Sequence, residues 1–243
     1  NELSAYRGWW NTVYCSDVDQ DGDPDLVVGN HGLNSRFKVN EDQKLGLFVG
    51  DFDSNGSVEP VYALNQKGTW TPLALRHDLI AQMPGLKKKF LKYADYNNLA
   101  LHEVFGKEAL AKSVRLEANY MATSVVENKG NGRWQLRPLP VEAQFAPVYA
   151  ISSLDYNKDG VSDLILAGNL FEVKPEAGRY DALLGGVLLQ GKGNMQFEAV
   201  PYLQTGLTKV LAARAIRTID VAGQKLLMVT ANQDSLTLYS QPE

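Results

Sequence analysis

The sequence predicts an all-β fold, and three of its features carry that prediction. A nine-residue acidic pattern occurs three times, each copy runs into an apolar strand-like segment, and turns rich in Gly and Asn separate the other strand-like segments. Repeating β units of this size are typical of propeller blades, of which about four to eight usually make a ring. About four units can be counted, so we predict that residues 1–243 form a β-propeller domain, or a fragment of one, with a small α-helical insertion.

The copies of the repeat differ in how complete they are. Asp17–Asp25 runs into LVVGN, Asp51–Glu59 into PVYAL and Asp155–Asp163 into LILAGN. A fourth copy of the strand, LLMVTAN at Leu226–Asn232, has no acidic segment before it, so the last blade is expected to lack the loop. Only 34 residues separate the starts of the first two copies, which predicts that the first blade is abbreviated or shares its strands.

The helical insertion is predicted at about residues 72–112. In LALRHDLIAQM, Leu75, Leu79 and Met83 recur every four residues and would form one apolar stripe on a helix. Pro84 ends that pattern, and helical patterning resumes beyond it. Two further segments, VVENKGNGRWQLRPL and VLLQGKGNMQFEAV, are similar to each other and predict β-hairpins.

The acidic segments have the ligand spacing of a calcium loop. Side-chain oxygens at positions 1, 3 and 5, a glycine at 6, a backbone carbonyl at 7 and an acid at 9 would wrap one hard cation. Gly22, Gly56 and Gly160 stand where the chain must turn most sharply. About three Ca²⁺ sites are therefore predicted. Their ligands would be the side chains of Asp17, Asp19, Asp21, Asp25, Asp51, Asp53, Asn55, Glu59, Asp155, Asn157, Asp159 and Asp163, and the carbonyls of Asp23, Ser57 and Val161.

Other interpretations of these loops fit less well. An EF-hand needs a bidentate Glu at position 12 between two helices, whereas position 12 is Val28, Tyr62 or Leu166 in a predicted strand. Asp, Asn and Gly also make ordinary turns, but three turns with one ligand order favour a cation. Mg²⁺ demands tighter octahedral geometry and keeps its waters. Because close carboxylates repel, Ca²⁺ would make each loop rigid, and this bracing role is favoured over a regulatory or ligand-bridging one.

Composition argues against several classes of protein. The formal charge is −4, yet 11 of the 28 acids lie in the three loops, leaving 17 acids outside them, whereas all but Lys158 of the 24 Lys and Arg lie outside the loops. Those bases are scattered apart from Lys87–Lys89, so no nucleic-acid footprint is predicted. No run of about 18 apolar residues occurs, which argues against a transmembrane segment. Cys15 is the single cysteine, so an internal disulfide is excluded and a small buried side chain is expected.

The candidate ligand-binding residues are Arg179, Tyr180 and Asp181, in the predicted loop GRYDALLGG, and His31. Loops of this kind often carry binding residues, although an Arg–Asp pair that only holds the loop in shape is the simpler interpretation. His31 could reach a propeller face, but a structural role suits an isolated histidine better. The four tryptophans are expected in the core more than on sugar-stacking surfaces. No GxSxG, HExxH or P-loop motif occurs, so no catalytic residue is predicted.

Several motifs resemble a known family. The acidic loop followed by LVVGN resembles the FG-GAP or VCBS repeat, the calcium-loop blade also found in integrin α-subunit propellers. The segments GWWN, GNHGLNSRFK, RLEANY, VENKGNG, PLPVEAQFAPV and GRYDA resemble the C-terminal region of large secreted VCBS-repeat proteins of Bacteroidetes-type bacteria, many with an ASPIC/UnbV segment. The resemblance covers nearly the whole chain. It implies a propeller fold, calcium in the loops and an extracellular or cell-envelope location, outer membrane-associated or periplasmic. It implies no known activity.

Three functional hypotheses stay open at this point. The favoured one is a calcium-stabilised module that presents a surface, including the insertion, to a protein partner or a glycan. The alternative is an enzyme similar to the polysaccharide lyases that act on acidic sugars, for which His31, Arg179 and Tyr180 are candidates. The third is a scaffold in a larger envelope assembly. The first twelve residues lack a signal-peptide pattern and begin on a strand-like stretch, as expected for a segment of a longer or processed chain.

Overall fold

The computed structural model describes residues 2–240, except the side chains of Glu2 and Glu176, and the chain divides into two compact units. Unit 1 consists of Asn1–Ala5, Trp9–Arg36 and Met121–Glu243, and unit 2 of Tyr6–Gly8 and Phe37–Tyr120. Most regular structure is antiparallel β-sheet, in four sheets, which confirms the all-β prediction at this level.

The strands, in chain order, are β1 (Thr12–Ser16), β2 (Asp25–Gly29), β3 (Gln43–Gly50), β4 (Glu59–Gln66), β5 (Thr69–Pro72), β6 (Val114–Ala118), β7 (Ser124–Asn128), β8 (Trp134–Pro138), β9 (Val148–Leu154), β10 (Asp163–Gly168), β11 (Val187–Gly191), β12 (Phe197–Ala199), β13 (Ala213–Val221), β14 (Gln224–Ala231) and β15 (Thr237–Ser240). The helices are α1 (Arg76–Gln82), α2 (Leu86–Lys89), α3 (Leu101–Phe105), α4 (Lys107–Lys112) and α5 (Tyr202–Thr205). Within residues 2–240, no helix has both the length and the apolar character that crossing a bilayer requires.

Unit 1 holds three of the sheets. The first sheet has the order β1-β2-β7-β8, the third sheet β9-β10-β11-β12 and the fourth sheet β13-β14-β15. Unit 2 holds the second sheet, with the order β6-β3-β4-β5. The two segments predicted as hairpins form β7–β8 and β11–β12, the outer strand pairs of the first and third sheets.

The first sheet is discontinuous in sequence. Its strand β2 pairs with β7, with Leu26 opposite Val126, so the whole of residues 37–120 intervenes between paired strands. This arrangement explains the short spacing between the first two acidic repeats. The first sheet is completed by a hairpin that comes after unit 2, in keeping with the expectation that its strands are shared.

Two hydrophobic cores lie on the two faces of the third sheet. On one face, Leu164 packs in a cluster with Val27 of the first sheet. On the other face, Ile165 packs in a cluster with Val229 of the fourth sheet. All six residues of β10 are buried, because both faces of the sheet are covered. This burial explains why the strand is a continuous apolar run and does not alternate with polar residues.

In unit 2 the helices pack on the second sheet. Leu79, Met83 and Leu101 are buried against Phe48 and neighbouring strand residues, so the region predicted as a helical insertion does contain helices. The predicted stripe is wrong at its first member.

Leu75 precedes α1 and is 54% exposed. The Asp78 carboxylate accepts the backbone N–H of Leu75 at 3.3 Å, which places the helix start after that residue. The helix ends before Pro84, because the residue preceding a proline is disfavoured in helical geometry.

The prediction for Cys15 is also wrong, since its side chain is exposed. It lies on β1, an edge strand of the first sheet. Side chains alternate between the two faces of a strand, and Val13, which is 64% exposed, shares the face of Cys15.

Candidate functional site

The three acidic loops share one hydrogen-bond scheme, in which the ninth residue closes the loop. The ninth acid accepts the backbone N–H of the second residue, over 3.1 Å from Val18 to Asp25, 3.2 Å from Phe52 to Glu59 and 2.8 Å from Tyr156 to Asp163. These three acids are buried, with 1%, 6% and 0% of their surface exposed. The structure therefore places the predicted ninth ligand of each loop at its base.

The first acid of each loop accepts the N–H of the glycine at position 6. The distances to Gly22, Gly56 and Gly160 are 3.1, 2.9 and 3.0 Å. The fifth side chain accepts the N–H of residue 7 in the same way. Those distances are 2.9 Å for Asp21–Asp23, 2.7 Å for Asn55–Ser57 and 2.7 Å for Asp159–Val161. The carbonyls at position 7 stay predicted ligands.

The backbone of the loops repeats a strained conformation at position 4. Gln20, Ser54 and Lys158 have φ values of 66°, 60° and 61°, in the left-handed region. A residue with a Cβ pays roughly 1–2 kcal/mol there. Because three unrelated side chains accept this cost at one position, each loop is set by the same closed geometry. Gln, Ser and Lys carry no sequence signal for a left-handed residue, so this feature could not be predicted.

The first two loops bring acidic side chains together. The carboxylate oxygens of Asp17, Asp19 and Asp21 lie within 4.8 Å of one another, and so do those of Asp51, Asp53 and Glu59, and either group could hold a metal ion. Among the described residues, Asp17 Oδ1 is buried without a hydrogen-bond partner. A buried carboxylate oxygen is costly unless a donor or a cation satisfies it, so the first loop fits a hard cation.

Electrostatics in the loops favours uptake of positive charge. Burial raises the pKa of Asp19, and the neighbouring carboxylates Asp21, Glu127 and Asp17 raise it further. Burial also raises the pKa of Asp25 and of Asp163, against the backbone N–H groups that lower it. The ionised forms of these three acids are therefore disfavoured in the free protein, and binding of a cation or a proton would stabilise these side chains.

In unit 1 the ninth acid also ties its loop to the third strand of the same sheet. Asp25 Oδ1 accepts the N–H of Asn128, and Asp163 Oδ1 accepts the N–H of Gly191, both at 2.8 Å. Asn128 and Gly191 are the last residues of β7 and β11. The two similar hairpins thus stand in the same relation to their loops, which explains why their sequences match.

The third loop differs from the first two at its third residue. Asn157 donates its amide to Asp159 Oδ2 at 2.7 Å, and this hydrogen bond lowers the pKa of Asp159. The loop thus has an amide at position 3, where the other two have the carboxylates Asp19 and Asp53. The third loop has three acids in all, as the second has, against five in the first.

The fourth sheet connects its first two strands without an acidic loop, as the sequence predicted. Val221 pairs with Gln224, which leaves Ala222 and Gly223 as a two-residue turn with φ values of 54° and 82°. Positive φ at both positions is typical of the tight turns that suit twisted hairpins.

His31 and Tyr180 lie together in a buried aromatic cluster of unit 1. The His31 ring meets Trp9 and Tyr180 edge-on, with ring centroids 4.8 Å apart in both pairs. His31 is 5% exposed, and burial lowers its pKa to about 4, so the ring is neutral at physiological pH. Burial raises the pKa of Tyr180, and the charge of Arg36 opposes that shift. Three predicted motifs, GWWN, GNHGLNSRFK and GRYDA, therefore meet at one point.

Arg179 and Asp181 do not join that cluster through an ion pair with each other. Both are exposed, and among the described side chains no salt bridge links them. The Arg179 guanidinium lies 5.2 Å from the centroid of the Phe171 ring. The loop-holding Arg–Asp pair is thus replaced by a cation–π contact.

Buried asparagines at the ends of the repeats were not predicted as structural residues. Asn169 donates to the carbonyls of Leu183 and Leu211 at 2.7 and 2.8 Å and accepts the N–H of Leu183. Asn30, in the corresponding place, accepts the N–H of His31 at 2.8 Å. The signal was the shared final Asn of LVVGN and LILAGN.

Gln144, in PLPVEAQFAPV, has a similar structural role. It is buried, bonds the backbone of Thr123 in both directions and donates to the carbonyl of Leu139.

Comparisons of the chain with family models, curated proteins and solved structures find no match. The resemblance to calcium-loop repeats therefore rests on the motifs of the sequence.

Proposed function

We propose that this chain is a calcium-binding module whose three acidic loops each take one Ca²⁺ and thereby brace the sheets that carry them. The observation that carries this proposal is the common geometry of the loops. The loops Asp17–Asp25, Asp51–Glu59 and Asp155–Asp163 share three features at matching positions. These are the hydrogen bond from the glycine N–H to the first acid, the left-handed conformation at position 4 and the glycine at position 6.

The donor set favours calcium over other cations. All of the proposed side-chain ligands offer carboxylate or amide oxygens, which suit hard cations, and Asp17 Oδ1 is buried without a donor. An irregular loop of this kind suits the flexible coordination of Ca²⁺ better than the strict octahedron of Mg²⁺. When bound, the ion would neutralise the carboxylates that now raise one another's pKa.

The proposed role of the ion is to brace the sheet, because each loop joins neighbouring strands. The first and third loops connect the first strand of their sheet to the second, the second loop connects the central strands β3 and β4, and Asp25 and Asp163 also reach the third strand. A cation held by the first or the third loop would therefore fix three strands at one end of the sheet.

The propeller and its family stay part of the proposal. Within unit 1 the first strands of three sheets are neighbours, since β9 lies beside both β1 and β13. Blades arranged around an axis bring their first strands together in this way. We therefore propose a propeller of the FG-GAP/VCBS kind, in the extracellular or envelope setting that the resemblance implies.

Within this setting we propose binding to a protein partner or glycan, and not catalysis. The insertion exposes Leu91 and Tyr93 at 74% and 59%, and the Arg76 guanidinium lies 5.3 Å from the Tyr93 ring centroid. Exposed apolar and aromatic groups of this kind often mark interaction surfaces. The lyase alternative needs an accessible base, whereas His31 is 5% exposed.

The test is a calcium count on the intact chain. Protein freed of metal by chelation and dialysis is titrated with Ca²⁺ in a calorimeter, and about three sites are expected from the loop count. Asp19→Asn/Asp21→Asn should remove one site. Glu41→Gln/Asp42→Asn removes the same charge outside the loops and should remove none.

A chain that binds no Ca²⁺, or whose count the loop variant leaves unchanged, contradicts the proposal. Retention on immobilised alginate, pectate or laminarin, with release of unsaturated sugars followed by absorbance, separates glycan binding from lyase activity.

A further inference from the structure

A cleft of about 530 Å³ lies between the third and fourth sheets of unit 1. It continues the hydrophobic core between these sheets toward the end at which the third acidic loop lies. Leu154, Ile165 and Leu188 share the face of the third sheet that looks into it, and Leu207 adds to the same wall. The floor is therefore apolar, and the size is in the range of small-molecule sites.

The fourth sheet contributes a charged residue to the cleft, at a position of β14 whose neighbours on the same face are apolar. Along β14 the inward-facing positions are Ala231, Val229, Leu227 and Lys225, and only the last is charged. Thr218 stands opposite Leu227 on β13. A one-sided strand keeps its apolar set on the core face, so a lysine on that face needs a separate reason.

Two cationic side chains line this cleft without a carboxylate partner. Lys225 comes from the fourth sheet and Lys158 from the strained position of the third acidic loop. Among the described side chains, neither makes an ion pair, whereas Lys192 and Lys209 in the same unit are paired. The lining also includes one carboxylate, Asp155, whose oxygens accept the N–H groups of Asp159 and Gly160, so the cleft combines an apolar floor with two cations that make no ion pair and one hydrogen-bonded acid.

A buried hydroxyl completes the polar set. Tyr239 stands opposite Leu227 on β15 and lines the cleft. Its Oη is buried and has no hydrogen-bond partner among the described residues. Burial also raises the pKa of this phenol, against the charge of Lys209, so it stays protonated and able to donate. A buried hydroxyl without a partner is costly, and a bound acceptor would remove that cost.

We propose that this cleft binds a small organic anion, a carboxylate carried on an apolar body, with Lys158 and Lys225 facing the charged group and Tyr239 as a hydrogen-bond donor. The apolar body would lie on Leu154, Ile165 and Leu188. Lys225 and Tyr239 lie outside every acidic loop, whereas Lys158 belongs to the third, so anion binding is measured both with calcium and without it.

The experiment uses 1-anilinonaphthalene-8-sulfonate, a fluorescent amphipathic anion, on the folded chain with calcium present and again after chelation. Saturable binding is expected, with displacement by decanoate but not by decyl maltoside, decylammonium or galacturonate. Lys158→Gln/Lys225→Gln should weaken binding by about tenfold or more, the usual effect of losing charge-assisted contacts. The control Lys87→Gln/Lys107→Gln, with the same charge change in unit 2, should leave the affinity unchanged.

Tyr239→Phe separates a binding role from a structural one. It should weaken binding by roughly threefold to tenfold and leave the thermal midpoint of the free protein unchanged or higher, because it removes an unsatisfied buried hydroxyl. Absence of saturable binding overturns the proposal. So does equal competition by the neutral amphiphile or by galacturonate, or equal affinity of the double lysine variant. Because calcium binding is measured separately, either proposal can fail alone.

Discussion

The third and fourth sheets of unit 1 solve the same connection in two ways. Each joins its first strand to its second by a reversal of the chain. The third sheet uses the eight residues from Asp155 to Ser162, whereas the fourth uses the two residues Ala222 and Gly223. The fourth sheet shows that a strand reversal in this unit needs neither a buried carboxylate nor a long connection.

Because the two-residue turn reverses the chain without a buried acid, we infer that the acids of the third loop have a role beyond the reversal itself. Asp163 is fully buried in a loop where burial raises its pKa, and Lys158 holds a left-handed conformation. The buried acid costs stability in the free protein and has no counterpart in the tight turn, which shares only the left-handed conformation, at Ala222. The cation proposed for the loop would compensate the cost of this buried acid.

The largest difference in stability between the two connections is expected when their acids are removed. Asp163→Ala leaves the N–H groups of Tyr156 and Gly191 without their buried acceptor, so we expect a loss of about 2–5 kcal/mol in the free energy of unfolding. Asp220→Ala, its control, removes an exposed acceptor of the Gly223 N–H at 2.9 Å and should cost less than about 1 kcal/mol. Urea unfolding of both variants measures the difference. Equal losses would mean that the ninth acid is an ordinary turn residue.

A pH titration of stability separates the protonation of His31 from that of the loop carboxylates, which also occurs at acid pH. The folded pKa of His31, about 4, lies below its usual 6.5, so the unfolded chain takes the proton first. Its contribution to stability is complete above pH 6.5 and is lost as the pH falls toward 4, by about 3 kcal/mol in all. Urea unfolding at several pH values should show this loss with and without calcium.

His31→Phe should remove that part of the pH dependence, and the exposed-residue control His102→Gln should not. An unchanged pH profile in His31→Phe would assign the acid sensitivity to other groups.

The glycines of the two connections give a smaller and closely matched test. Gly160 and Gly223 have φ values of +85° and +82°, and an added Cβ would meet nothing within 4 Å at either place. Each change to Ala should therefore cost the same, about 1–2 kcal/mol of backbone strain. Only Gly160→Ala should also weaken calcium binding, which calorimetric titration of both variants measures. A calcium effect in Gly223→Ala would contradict the assignment of the ion to the loop.

The smallest effect concerns the amide of the third loop. Asn157→Asp gives this loop a carboxylate at position 3, where the first two loops have one, so its calcium affinity should rise by a few-fold, on the order of 1 kcal/mol. The metal-free variant should lose a little stability, because it gains a repelling charge. Calorimetry on both forms tests the pair of effects, and a fall in affinity would mean that Asn157 is not near the ion.

The local features of the fold could be predicted from the sequence, whereas the non-local ones could not. Acid and glycine spacing predicted all three loops, and the apolar run of β10 predicted a strand, because these patterns depend on neighbouring residues. The pairing of β2 with β7 could not be predicted, since it joins segments more than 90 residues apart. The aromatic cluster of Trp9, His31 and Tyr180 is non-local in the same way. Lys225 shows its inward position only once the register of β14 is known.

The most direct test of the central claim is thermal unfolding of the intact chain with and without excess EDTA, followed by addition of Ca²⁺ or Mg²⁺. An ion at 100 times its dissociation constant adds about 2.7 kcal/mol per site, so three loops should give a large rise in the midpoint. We predict a strong fall on chelation, restored by Ca²⁺ and poorly by Mg²⁺. An unchanged midpoint, with metal removal verified by elemental analysis, would show that the acidic loops are turns like the one at Ala222 and Gly223.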